Sequence, residues 1–574
     1  MHREAIKPHS FATWAGAAAV FLAAFAFHAP ALRGSFVHDD FPLIVYNQDL
    51  ADPGAAAMLL KPAGYLNTLG LRGATRPLSL LSLMADRRLW KLSPAGYHLT
   101  NLLLHGADSA LVFFLALVLL GGGQEARPWA AAAGLAFALH PIQAEAVDII
   151  SFRPDLLMAL FYLLGLLAFA QAYAAVGFWK KALWAGLCGA AGVLAMLSKE
   201  SAVTFPAALI LYRALLGPRL SARARLGLAG AAVAVALMAA GWLMRKWSAP
   251  FLHAAVYPSL TDAISPLQSR AAHARVVLLT AGHYLKAFLW PSGLSIEYQM
   301  RLFGPRFAWQ AAAILLALAA IAAIFLIIRD RLFRFGLAFC LIALLPASNI
   351  LPLPNLLADR YLYLPMAGFG LMVASAARNL HGRGWAWLPA ALLLCVYAAQ
   401  TASANARFHD MLALNSAAVR VAPDNPRARY HLALAQIDAK DFPAAAAASS
   451  WPAALPSPFL KPLTWYFLGQ CRERLGNING AEQAYRETLR LVETPEVYDR
   501  LGAMRALRKD YAGAIRFFRQ AVGLQPDYSE AWVHLLDVCK ASGDKKALRR
   551  ETDRMARLFA QNHWTLEGLS TYAQ

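Results

Sequence analysis

Up to about Gln400 the sequence runs in apolar blocks of roughly 14 to 22 residues separated by short polar connections, and then becomes ordinary mixed sequence. About 20 apolar residues is the length of helix that crosses a bilayer core. Backbone polar groups find no water there, so a chain of such blocks must satisfy them inside helices. The expected architecture is all-α: a polytopic membrane domain of about 11 spans followed by a soluble domain. Composition agrees, since hydrophobic residues make up 59% of the 574 positions and charged residues only 15%, with a mean hydropathy of +0.43. Soluble domains carry about 25% charged residues.

Spans are expected near 11–32, 98–121, 127–141, 155–176, 181–197, 201–216, 226–243, 307–328, 334–350, 361–378 and 385–402. The first follows Arg3 and Lys7, as a signal peptide would, but lacks a clear small-x-small cleavage site and reads as a retained anchor. A net charge of +20 invites a nucleic-acid partner, yet the placement of the charge argues against one. Lys180, Lys181, Arg213, Arg219, Arg223 and Arg225 sit in connections between spans, as do Arg329, Arg331, Arg334, Arg378 and Arg383. That is the bias of cytoplasmic loops. With the N-terminus inside, every one of these connections is cytoplasmic and the chain leaves its last span on the outside. The stretch 275–290 does not fit as a crossing. It carries Arg275, Gly282, His283 and Lys286 on one face and reads as an interfacial or re-entrant helix. The five cysteines form neither a zinc nor a disulfide pattern.

This topology gathers the unusual polar residues on the outer face: Asp39 and Asp40 just past the first span, Arg76 before Pro77, and His140-Pro141 leading to Glu145 and Asp148. Arg153, Asp155, Lys199, Glu200, Glu297 and the run Asp359-Arg360-Tyr361 join them. Acids and guanidinium groups between apolar helices suit an amphipathic anionic ligand. Each has a plainer reading too. Asp39-Asp40 reads as a solvated, helix-capping loop, Arg76 as a surface turn, His140 as a helix end and Lys199-Glu200 as a hairpin turn. Arg360 is harder to dismiss, because an Arg at a span boundary either snorkels or holds an anion.

The soluble part repeats. Tyr430, Trp465, Tyr498 and Trp532 recur at about 34 residues, with Leu468, Leu501 and Leu535 three positions after the last three. Gly469 and Gly502 follow two of these leucines, and Tyr485 and Phe518 mark the second helices. This is the tetratricopeptide pattern, with repeats expected near 427–460, 463–495, 496–528 and 530–562. A helix pair cannot bury its own apolar face, so the pairs stack into an α-solenoid. The expected division is 1–405 for the membrane domain and 406–574 for the repeats, the latter outside the cytoplasm.

Read in order, FVxDD, TRPL, HPxxxEAV, RPDLL, LSKE, LPxxNxLP and ADRYLYLP followed by the repeats resemble the transmembrane and tetratricopeptide-repeat O-mannosyltransferase family of the GT-C superfamily. The resemblance covers nearly the whole chain, and ADRYLYLP is its most diagnostic piece. It departs at Phe152-Arg153, where relatives carry Gly-Arg, and at Met366, where a small polar residue is common. It implies an integral-membrane glycosyltransferase that moves a sugar, mannose or another hexose, from a polyprenyl-phosphate donor. The acceptor is a hydroxyl, in relatives a Ser or Thr of a protein, and the anomeric centre inverts on the outer face. Asp39 or Asp40 then serves as base. Arg360, Arg153, Lys199 and Arg76 stand against the leaving phosphate, Glu145 and Glu200 bond sugar or orient the bases, and His140 and Tyr361 line the substrate site. The acceptor protein or peptide reaches the site through the repeat groove. An Ala-rich chain poor in Asn and Lys reads as a bacterial inner-membrane protein with periplasmic repeats. Adjacent carboxylates suit a divalent metal, but no dedicated ligand set accompanies them. A non-enzymatic scaffold that recruits partners through its repeats is the alternative. A lipid or polysaccharide transporter fits less well, since mid-span charges and internal duplication are missing from the sequence.

Overall fold

A computed structural model of the protein describes residues 10–52, 54, 76–217, 269–300, 305–351, 353, 355–380, 385, 388–450 and 460–562. The expected span 226–243, the basic residues Arg219, Arg223, Arg225 and Arg383, and Thr75 lie outside the described residues. Every regular element among those described is a helix. The chain divides into two compact units, Met1–Ala422 and Pro423–Gln574.

In the first unit, α1 (Phe11–His28) is followed by α2 (Pro77–Trp90), α3 (Pro94–Leu119), α4 (Arg127–Ala138) and the short α5 (Ala144–Asp148). Then come α6 (Arg153–Ala174), α7 (Phe178–Ser198), α8 (Phe205–Leu216), α9 (Arg270–Leu289) and α10 (Phe307–Ile327). The unit ends with α11 (Arg331–Leu344), α12 (Pro365–Leu380), α13 (Leu388–Asn405) and α14 (Met411–Val421). Five described segments are long and apolar enough to cross a membrane: Phe11–Arg33, Pro94–Leu119, Ile150–Ala174, Phe178–Ser198 and Phe307–Ile327. α10 shows most directly what surrounds this unit. None of its residues is buried, and Trp309, Leu316, Leu326 and Ile327 stand fully out. So wide an apolar surface needs apolar surroundings, which a bilayer supplies.

Proline sets several helix starts. Pro77 begins α2 immediately after Arg76, and Pro154 sits in the first turn of α6 next to Arg153. Proline lacks the N–H that an α-helix leaves unpaired in its first turn, and its fixed φ suits that position. Both arginines are thereby pinned at helix beginnings. The core between the helices is dense with Ala, Leu and aromatic side chains, Phe113, Phe137, Tyr162, Phe335 and Phe339 among them. Buried polar contacts cross it: Tyr363 Oη donates to Asp108 (2.8 Å) and lies 2.9 Å from His105 Nδ1, and His28 Nδ1 lies 3.1 Å from Asp148 Oδ1. The first two tie α3 to the segment before α12, and the third ties α1 to α5.

The second unit is a series of helix pairs: α15 (Pro426–Asp438) with α16 (Phe442–Ser449), α17 (Leu460–Arg474) with α18 (Ile478–Leu491), α19 (Pro495–Leu507) with α20 (Tyr511–Leu524), and α21 (Ser529–Ala541) with α22 (Lys545–Asn562). First helices recur about every 34 residues, the period of a tetratricopeptide solenoid. Glycine has a steric reason in this period. A Cβ at Gly469 would come within 2.6 Å of the Tyr485 ring, and one at Gly502 within 2.7 Å of Phe518. The two helices of a pair close tightly only because each second-helix aromatic fills the space that a first-helix side chain would take.

Candidate active site

The Phe36–Asp40 stretch leaves α1 through a tight turn at His38, whose φ of +44° is in the left-handed region. His38 is held there by α14: its N–H donates to Met411 Sδ (3.2 Å) and its Nε2 lies 3.0 Å from Asn415 Oδ1. The turn sends the two neighbouring carboxylates to different environments. Asp40 is fully buried, and its two oxygens accept N–H groups from Val37 (2.9 Å) and Ser151 (2.7 Å). Burial is the main cause that raises Asp40 from the ordinary 3.8 to about 6, against the lowering effect of those bonds. Asp39 is exposed and lines a cavity of about 530 Å³.

That cavity brings Asp39 together with Arg76, Lys199, Arg360 and Tyr361. Each cation is gripped from behind by a carboxylate. Arg76 makes a two-pronged contact with Glu200, Nε to Oε2 at 3.0 Å and Nη2 to Oε1 at 2.9 Å, the fork geometry that fixes a guanidinium in orientation. Lys199 Nζ lies 2.5 Å from Asp155 Oδ1 and 5.3 Å from the centre of the Tyr361 ring. Glu145 is wholly buried and holds Arg360 twice, through the backbone N–H (2.8 Å) and through the guanidinium. The Arg360 guanidinium also stacks 3.8 Å from the Phe152 ring centre. Burial pulls Arg360 down, but the Glu145 charge outweighs it and the net direction is upward from 12.5. Burial pulls Lys199 below 10.5, with Asp155 opposing it. Among the described residues no group of three or more His, Cys, Asp or Glu is arranged to hold a metal ion.

Two of the expected substrate contacts are elsewhere. Arg153 is fully buried against Asp86 (2.6 Å), Asn101 Oδ1 (2.8 Å) and the Tyr97 carbonyl (3.0 Å), so it joins α6 to α2 and α3 instead of facing the cavity. His140 is likewise buried. Its Nδ1 accepts the Ile142 N–H, and its ring stacks edge-on to Tyr397 at 4.4 Å. His140 precedes a helical turn and Arg153 begins α6, but both side chains turn inward. Ser79, Ser151 and Phe152 line the cavity without having stood among the candidates, as does Asp155, which was grouped on the outer face but given no role. Asp155 had a signal, as the acid that follows Arg153-Pro154; the two serines had none.

No family model matches the chain. Curated proteins do. Human protein O-mannosyl-transferase TMTC2 is 36% identical over 189 residues, 32% of this chain and 22% of that protein. Mouse protein O-mannosyl-transferase TMTC4 is 28% identical over 391 residues, 59% of this chain and 52% of that one. Protein O-mannosyl-transferase Tmtc3 of Drosophila melanogaster is 26% identical over 417 residues, 61% and 45% of the two chains. The chain is similar in sequence to proteins named protein O-mannosyl-transferases. It spans about half, or less, of the length of the relatives it matches. Among solved structures, the crystal structure of the APC/C hetero-tetramer Cut9-Hcn1 aligns at 14% identity over 89% of this chain and 90% of that one, with a TM-score of 0.24. The separated motifs FVxDD, TRPL, RPDLL, LSKE and ADRYLYLP each contribute a residue to one cavity wall: Asp39, Arg76, Asp155, Lys199 and Arg360.

Proposed function

We propose that the chain is a polytopic glycosyltransferase that moves a sugar, mannose or a related hexose, from a polyprenyl-phosphate donor to a hydroxyl acceptor, a Ser or Thr of a protein. The observation that carries this reading is the single cavity that sets one exposed carboxylate, Asp39, opposite three cations, Arg76, Lys199 and Arg360. The names of the relatives support the reaction class. The donor's phosphate sits among the cations with its tail between apolar helices, and the acceptor hydroxyl approaches Asp39.

Asp39 takes the acceptor proton as the acceptor oxygen bonds to the anomeric carbon. The bond from that carbon to the phosphate oxygen breaks, and its electron pair leaves with the polyprenyl phosphate. A phosphate leaving group is already weakly basic, so no general acid is required. What it needs is fixed positive charge in a poorly hydrated place. Arg360 is the principal contact, with Lys199 and Arg76 beside it and Tyr361 packing against Lys199. Glu145, Glu200 and Asp155 orient the cations, and Asp40 fixes the turn that presents Asp39. One displacement inverts the anomeric centre. The site faces the outer side of a bacterial inner membrane, the repeats lie on the periplasmic side, and their groove presents the acceptor.

The test is transfer by the purified full chain in nanodiscs, offered a panel of polyprenyl-phosphate hexoses and Ser/Thr peptides, with products read by mass spectrometry. Glycosylated peptide from at least one donor is expected. Failure of every donor, with intact folded protein, would favour the scaffold reading.

A further inference from the structure

A second cavity of about 420 Å³ lies in the first unit, between the C-terminal end of α9, the irregular stretch after it and the end of α14. His283, Lys286 and Arg420 line it, with hydroxyls from Ser292 and Tyr298, and no carboxylate is part of its wall. Neither Lys286 nor Arg420 forms an ion pair among the described residues; the Lys286 ammonium reaches only the Ser292 carbonyl, at 3.3 Å. Asp359 lies 3.7 Å from His283 Nε2 and also accepts from Tyr298 Oη (2.7 Å) and the Ser295 N–H (3.2 Å). The remaining wall is apolar, from Ala287, Leu294 and Val421. Immediately beyond Lys286, Leu289 and Trp290 are more than half exposed. Exposed Trp beside Lys is the pairing that sits at headgroup level in a bilayer. A mixed wall in which Lys286 and Arg420 carry charge without an ion pair, close in the chain to membrane-seeking side chains, matches a phosphate that carries an acyl tail.

We infer that this cavity binds the headgroup phosphate of an anionic bilayer phospholipid, with Lys286 and Arg420 as its charge partners and Trp290 and Leu289 against the acyl chains. An acidic segment of an acceptor protein would satisfy the cations but leave the exposed Leu289-Trp290 pair unexplained. The inference does not depend on the transfer reaction.

The experiment is native mass spectrometry of the full chain released from nanodiscs of phosphatidylcholine alone or mixed with phosphatidylglycerol. Wild type is expected to retain one phosphatidylglycerol in preference to phosphatidylcholine. At about a fivefold loss per basic group, Lys286→Gln/Arg420→Gln should bind it about 30-fold more weakly. Arg88→Gln, a change at an exposed basic residue away from the cavity, serves as a control and should retain the lipid. Inorganic phosphate should not compete at millimolar concentration, because it lacks the tail. Equal retention by the double variant would overturn the inference. So would displacement by free phosphate, by an acidic peptide, or mole for mole by polyprenyl phosphate, the last of which would make the cavity part of the donor site. Circular dichroism of the double variant separates a lost lipid from a lost fold.

Discussion

At residue scale, Asp39 and Asp40 show how one dipeptide can hold two unrelated jobs. In the sequence the two acids are equivalent; in the fold a left-handed turn at His38 buries one and exposes the other. Asp40 is a structural anion for two backbone N–H groups, and removing it leaves these donors unmatched. Asp40→Ala is expected to destabilise the protein by about 1–3 kcal/mol, read by thermal unfolding in detergent. Its pH behaviour has a definite sign. The pKa of Asp40 rises on folding from 3.8 to about 6, so the folded state binds the proton more tightly than the unfolded chain. The contribution of this group is complete below about pH 4 and is lost as pH rises through about 6. The unfolding temperature of wild type relative to Asp40→Asn should therefore fall between those values and level off above; a difference that grows with pH would contradict it. The sequence singled out Arg153 and His140 but did not show where their side chains point. That direction depends on Asp86 and Asn101 for the arginine and on Tyr397 for the histidine, all far away in the chain.

At the scale of elements, the cations are useful because helix ends hold them. Arg76 at the start of α2 is clasped by Glu200, which follows α7, and Arg360 is clasped by Glu145 of α5. Arg76 and Glu200 are 124 residues apart, and Arg360 and Glu145 are 215 apart, so no local pattern announces either pairing. Glu145→Gln removes the partner of a largely buried guanidinium. A loss of about 3–5 kcal/mol is expected, together with a raised KM for the donor, because breaking a buried pair strands a charge. An unchanged melting temperature would show that Arg360 is held by other contacts. The helix pairs were far more legible, since Gly469, Gly502, Tyr485 and Phe518 repeat the contact that closes each pair. Gly502→Val forces a side chain into the Phe518 ring and should cost about 1–3 kcal/mol. Faster hydrogen exchange confined to α19 and α20 of the full chain is the expected readout.

For the whole molecule, hydropathy alone revealed an all-helical membrane unit joined to a helical solenoid, because solvent dictates that division before any tertiary contact does. It did not give a dependable span count: several helices, such as α4 and α8, are 12 residues long, too short to declare themselves by length. The loop charges predict sidedness instead. A cysteine introduced at exposed Asp49 should react with a membrane-impermeant maleimide in intact spheroplasts, and one at exposed Glu125 should react only after lysis. The reverse pattern would invert the topology and move the Asp39 cavity to the cytoplasmic side.

The central claim is that Asp39 accepts the proton from the attacking hydroxyl. Single-turnover transfer from a polyprenyl-phosphate hexose, with donor binding measured on the same samples, tests it most directly. Asp39→Asn should bind donor as wild type does and transfer about 10²- to 10⁴-fold more slowly. A folded Asp39→Asn protein that transfers sugar at the wild-type rate would contradict the assignment.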